Sequence, residues 1–286
     1  MSRQLTAAVE GFAQVLATVP GERLSDAWPT PSPNGELANG YDEVVREVPY
    51  RLLVELRLVA ADIATTRPRV TLAQHILGQH HIAWREWTGA LLTVTPEELD
   101  RDPGGVNGCD WTLRVIQHHL AMTESAFRAM CAYAVEQRRA GESGALISHA
   151  MVLEADDLAT DVGDQAALLA NYAGIHADVQ AACVDLTEDD LAAEATWWEE
   201  YPIAVRWRLH RFEAHLREHT IHVEKTLGAI GHIPGEAERM ARMLHRALGE
   251  VEGLLLGAPD TCVEQCDALA VFIAEATATL RGMFAM

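Results

Sequence analysis

The chain has 286 residues, 49% of them hydrophobic, and carries 42 Asp and Glu against 22 Lys and Arg, a formal net charge of −20. That length suits one large or two small domains with a sizeable core, and such acidity repels a phosphate backbone, so nucleic-acid binding is not among the expected functions. No run has the uncharged apolar length of a membrane helix, MSRQLTAAVEGF lacks the apolar core of a secretory signal, and five cysteines without framework spacing fit reduced thiols. A cytoplasmic location without a membrane partner is expected.

Abundant Ala, Leu, Glu and Arg, with Gly or Pro punctuation at intervals of one helix length and no period-two β-branched runs, predict an all-α protein. Helices are expected over 3–18, 42–66, 70–93, 111–139, 164–185, 203–230, 236–256 and 260–284. The stretch from Pro20 to Gly40, with Pro29, Pro31 and Pro33, reads as loop. VPGERLSDAWP (19–29), VTPEELDRDP (94–103) and LTEDDLAAEATW (186–197) echo one another as helix exits. Residues 138–164 form a Gly-containing connection long enough to run the length of a bundle. Cys262 and Cys266 share a helix face and read as core packing.

Of 13 histidines, 12 lie between His75 and His232, so imidazole chemistry belongs to the middle of the chain. A histidine-bearing bundle is expected over 68–232. The flanks, 1–67 and 233–286, are expected to supply two helices each and to form one discontinuous second bundle, or else to wrap the first.

The stretch IAVRWRLHRFEAHLREHTIHVEKTLGAI (203–230) follows Pro202, which suits a first helical turn, and is stopped by Gly231 and Pro234. At about 100° per residue, His215, His219 and His222 fall in a narrow band of that helix. Leu209, Phe212, Leu216, Val223 and Leu227 lie near the same face, so some of these imidazoles should point inward, where a metal ion is a common partner. Solvated or carboxylate-paired histidines are the plainer alternative. A second stretch, CDWTLRVIQHHLAMTE, starts a helix with Asp110 as its expected N-cap. Its His118 and His119 are about 100° apart, so only one can face the bundle centre. That one with His215 and His219 gives three nitrogen ligands and leaves a position open, the arrangement of a catalytic ion.

W-T-L-R-x-x-x-H-H-L on one helix, paired with H-x3-H-x2-H on the last helix of a four-helix set, resembles the DinB/YfiT-like superfamily of metal-dependent hydrolases and thiol S-transferases over residues 70–231. The resemblance implies a four-helix bundle with a long connection between its second and third helices, to which the helices read at both ends of this chain are additional. It places the ligand on His119 rather than His118, beside His215 and His219. Where the family commonly has Gln, this chain has His222, which leaves a fourth imidazole near the metal. The implied cofactor is a divalent ion, zinc or nickel, with a low-molecular-weight thiol as co-substrate.

HLREH also satisfies H-x-x-E-H, a zinc-peptidase signature with Glu218 as base, but that class has α/β surroundings and a distant carboxylate ligand, and no strands are read here. Glu218 is expected to face solvent. His80, His81, Trp84 and Trp87 read as core or surface residues that border the pocket at most, and Trp197, Trp198, Glu199, Glu200 and Tyr201 as a helix-entry staple. Two function classes follow: a metal-dependent enzyme acting on a small molecule, with His222 as proton shuttle, and a metal- or ligand-binding protein without turnover. The expected partner is a small-molecule substrate, and a homodimer is compatible with the sequence.

Overall fold

A computed structural model of the protein describes residues 3–29, 44–142, 145–146, 163–197 and 200–284. Within these the chain is helical apart from a very small sheet: α1 (Arg3–Ala17), α2 (Val48–Thr66), α3 (Leu72–Ala90), α4 (Pro96–Leu99), α5 (Leu113–Arg139), α6 (Gln165–Cys183), α7 (Glu188–Leu191), α8 (Val205–Ala229), α9 (Glu236–Leu255) and α10 (Val263–Phe284). None of these helices is long and apolar enough to cross a membrane.

Local chemistry sets the ends that differ from the expected ones. Pro49 lacks an N–H and is tolerated only in a first turn, so α2 begins at Val48 behind a 3₁₀ turn over Val45–Glu47 rather than at 42. The N-cap of α5 is Thr112, whose hydroxyl accepts from the Val115 amide at 3.3 Å, not Asp110. Pro202 does not open α8: Ile203–Ala204 is a strand, and the Val205 amide donates to the Ala193 carbonyl at 2.8 Å before the helix starts. At the far end Gly231, at φ 86°, closes α8 with His232 N–H to Leu227 O (2.9 Å) and Gly231 N–H to Gly228 O (3.2 Å), a Schellman stop.

Each of the three echoing phrases contains a short helix. Gly21–Ser25 is a 3₁₀ turn inside the stretch read as loop. α4 and α7 are each opened by a reciprocal capping box, Thr95 with Glu98 and Thr187 with Asp190. Strands also occur where none were expected: Glu194–Thr196 pairs in parallel with Ala145–Leu146 and antiparallel with Ile203–Ala204. Most of the 138–164 connection, together with Trp198 and Glu199, lies outside the described residues.

The chain divides into two compact units. The first comprises residues 1–69, 81–93 and 233–286, and the second 70–80 and 94–232. Residues 81–93, placed by the sequence reading with the histidine bundle, thus group with the terminal segments, and α3 gives its residues up to His80 to one unit and those from His81 to the other.

In the first unit α1 packs on α9 and α10, and α2 packs on the same two helices. Leu5, Val9, Phe12 and Leu16 form the buried stripe of α1, Leu52, Leu56 and Ile63 that of α2, and Leu244, Leu248 and Val251 that of α9. Each such side chain contributes about 1.5–3 kcal/mol through burial. Cys266 joins this core, while Cys262 sits partly buried at its edge with φ 54°. A Cβ on Gly249 of α9 would meet Ile82 Cα at 3.0 Å and Arg85 Cβ at 2.9 Å, so the backbones here approach as closely as glycine allows. The buried Glu252 carboxylate accepts two bonds from Arg85 (2.6 and 2.8 Å) and lies 2.7 Å from His81 Nε2.

In the second unit α5 packs against both α6 and α8. The stripe Leu113, Ile116, Leu120, Phe127 and Cys131 of α5 and the stripe Leu209, Phe212, Leu216 and Val223 of α8 are buried. These two faces bring the histidines of α5 and α8 together.

Candidate metal centre

His119 of α5 and His215 and His219 of α8 converge so that one ring nitrogen from each lies within 4.8 Å of the others. His119 Nε2 and His215 Nε2 are 3.1 Å apart. The ring centroids of His119 and His219 are 4.7 Å apart, and those of His215 and His219 are 4.6 Å apart. The spacing has a simple origin: residues four apart on α8 stand one above the other, and His119 faces them from the neighbouring helix.

All three imidazoles are half-buried and uncharged at neutral pH. Burial, followed by repulsion from His219 and His119, pushes His215 down to about 3. Burial, followed by His119 and His222, pushes His219 down to about 4. Burial and the neighbouring His118 and His222 also lower His119. Neutral imidazole is the form that binds a metal ion, and three of them facing one point fit a divalent cation. His219 Nδ1 is buried with no partner among the described residues, which fits a donor set for an ion.

Trp111, just ahead of α5, covers this group. Its indole packs edge-on to His119 (5.1 Å), parallel to His219 (5.9 Å, 7° between planes) and tilted against His222 (5.4 Å). His222 lies 5.7 Å from His219, beside the group rather than in it, and burial and Lys225 lower it while the Asp110 carboxylate acts in the opposite direction. Of the adjacent pair, His118 stays outside the group and lowers His119 through its charge. Glu218 is exposed and held by both terminal nitrogens of Arg211 (2.9 and 3.1 Å), so the H-x-x-E-H reading has no base at the site.

A second polar group was missed by sequence reasoning. In the second unit, buried Glu124 of α5 accepts from Tyr172 Oη at 2.6 Å and contacts His176 Nδ1 (2.9 Å) and His80 Nε2 (3.3 Å). Its readable signal is a glutamate four residues after Leu120 on the buried stripe of α5, and Tyr172, His176 and Gln180 at steps of four on α6. His80 and His81 are both core residues, as are Trp84 and Trp87. A cavity of about 350 Å³ lined by Arg128, Cys131, Val135 and Cys183 lies along the C-terminal half of α5 and includes no histidine.

A helical bundle whose facing helices present three convergent imidazoles is an architecture that can hold a metal ion. The DinB superfamily model matches residues 79–223, and the chain belongs to that superfamily. No curated protein and no solved structure matches the chain.

Proposed function

We propose that the protein is a metal-dependent enzyme acting on a small molecule, as a thiol S-transferase or a hydrolase, through a divalent ion held by His119, His215 and His219. The observation that carries this reading is the approach of three neutral ring nitrogens to within 4.8 Å of one another across two helices. Zinc and nickel are among the ions that suit an all-imidazole set. When bound, such an ion supplies Lewis acidity that lowers the pKa of water, or of a thiol, into the neutral range.

The residues around the triad define what the chain itself does. Trp111 shields one side of the imidazoles and limits access of bulk water. His222 stands on the Trp111 side with a titratable ring exposed enough to exchange protons, and we assign it the role of proton shuttle. A low-molecular-weight thiol attacking an electrophilic carbon would release its proton in this direction.

The test is metal analysis of tag-free protein together with an assay for thiol-dependent consumption of electrophiles, using glutathione, bacillithiol and mycothiol in turn. His215→Ala should lose both the metal and the activity. His222→Gln should keep the metal and lose about 10²–10⁴ in rate, the usual contribution of a positioned acid or base. Metal binding without turnover of any thiol or hydrolysable substrate would instead favour a binding protein, and metal retained in His215→Ala would overturn the ligand assignment.

A further inference from the structure

We infer that the His80–Glu124–His176 cluster is a second, fully buried binding site for a first-row divalent transition-metal ion, separate from the histidine triad. The cluster draws one residue from each of α3, α5 and α6, and its three potential ligand atoms lie within 4.8 Å of one another. Relative exposures are 0% for His80, 4% for Glu124 and 2% for His176. The separations of 2.9 Å between His176 Nδ1 and Glu124 Oε1, and 3.3 Å between His80 Nε2 and Glu124 Oε2, are those of neighbouring ligands on one ion bonded at about 2.0–2.2 Å. The His80 and His176 rings meet edge to face at 4.6 Å, so both imidazoles close on the same carboxylate.

Charge balance points the same way. Among the described residues two glutamates are buried, Glu124 and Glu252, and they are compensated differently. Glu252 in the first unit takes a two-pronged guanidinium from Arg85. Glu124 has no Arg or Lys partner among the described residues, only two imidazoles and a phenol. A carboxylate buried this deeply without a guanidinium or ammonium partner is costly. A divalent cation removes that deficit, and two nitrogens with one carboxylate oxygen is a ligand set used by zinc and by non-haem iron.

The surroundings also have the form of an outer shell. Tyr172 Oη donates to Glu124 Oε2 at 2.6 Å and would orient the carboxylate. The far nitrogen of His176 meets the Gln180 side-chain amide at 2.9 Å. That amide can present either its oxygen or its nitrogen by a half-turn, so it can serve a metal-bound imidazole, whose free nitrogen carries the proton. The rings of Phe212 and Phe127 link His80 to His215 through successive contacts of 5.2, 5.4 and 6.0 Å, an apolar layer between the two clusters.

The test uses the full-length, tag-free chain produced with Zn²⁺ or Co²⁺ in the medium, desalted and analysed for metal per chain, with circular dichroism to establish folding. The parent should hold two equivalents. His215→Ala/His219→Ala, which dismantles the triad, should keep one, and adding Glu124→Gln should remove it. On the otherwise unaltered chain, Glu124→Gln and His80→Asn should each hold one equivalent fewer than the parent, and Co²⁺ lost from this site should remove one set of visible absorption bands. If the parent holds one equivalent that survives in the double histidine variant and vanishes in Glu124→Gln, the buried site stands and the triad reading fails. If a folded double histidine variant holds none, or folded Glu124→Gln and His80→Asn hold as much as the parent, the buried site is refuted and its charge is balanced by a proton on one imidazole.

Discussion

The indole of Trp111 lies parallel to the imidazole of His219, 5.9 Å between centroids and 7° between planes, and makes ring contacts with His119 and His222 as well. An aromatic plate against two rings of the triad restricts their rotation. Ligand rings that turn freely must be ordered when an ion binds, so Trp111 should preorganise the site. Trp111→Ala should weaken metal affinity about 10- to 100-fold, the range for loss of an outer-shell partner, while Trp111→Phe keeps most of it. Competition against a chromophoric chelator measures this, and equal affinities in all three proteins would remove Trp111 from the site.

The contact at Gly249 makes a prediction about packing. Ala is ordinarily favoured over Gly inside a helix by about 1 kcal/mol. Here the added methyl would press on the Ile82 backbone, which cannot rotate away. Overpacking of this kind costs about 1–3 kcal/mol, so Gly249→Ala should be net destabilising. Gly11→Ala on α1, with nothing within 4 Å of the new Cβ, should be neutral or stabilising. The urea midpoint should therefore fall in Gly249→Ala and hold or rise in Gly11→Ala, and a stabilised Gly249→Ala would disprove the close approach.

Glu252 anchors the buried Arg85 guanidinium, so its loss should be expensive. Glu252→Gln leaves the Arg85 guanidinium buried with Glu10 as its remaining carboxylate and should cost about 3–5 kcal/mol. The double replacement Arg85→Leu/Glu252→Leu should be less destabilising than Glu252→Gln, because no unpaired charge remains. Chemical denaturation of the set provides the comparison, and losses that simply add would show that the pair is not coupled.

His245 gives the first unit a pH dependence. Burial, reinforced by the Arg85 guanidinium, pushes its imidazole down to about 4, against an ordinary 6.5. Between those values the unfolded chain binds a proton that the folded chain does not. Stability therefore falls as pH drops from about 6.5 towards 4, by roughly 3 kcal/mol when fully developed. His245→Asn should flatten that part of the stability profile without changing it above pH 7. Parallel profiles for the two proteins between pH 7 and pH 4.5 would rule out His245 as the group responsible.

Periodic signals were the legible part of the fold and the site. The long amphipathic helices, the glycine stop at Gly231 and the shared face of His215 and His219 on α8 follow from spacing along a helix, whereas the choice of His119 over His118 came from the family resemblance. The exact starts of the helices did not follow from spacing, because an N-cap is decided by competition among neighbouring polar residues: Thr112 prevailed over Asp110, and the bond from the Val205 amide to the Ala193 carbonyl set the start of α8. The strands escaped notice since two or three residues are too few to show alternation, and their pairing is fixed by tertiary contact. The Glu124 cluster was hidden for a related reason. His80, Glu124 and His176 come from three separate helices, and no linear spacing connects them.

The discontinuity of the first unit bears on how the protein is made. α1 and α2 emerge from the ribosome early, yet α9 and α10, which cover their apolar faces, are encoded some 170 residues after α2 ends. At typical rates of about 5–20 residues per second, those faces wait roughly 10–40 s for their partners. During that interval the nascent chain presents Leu5, Val9, Phe12, Leu52 and Leu56 without their native cover. Translation speed, and whatever shields emerging apolar helices, should therefore influence the yield of this protein more strongly than that of a helical bundle completed in sequence order.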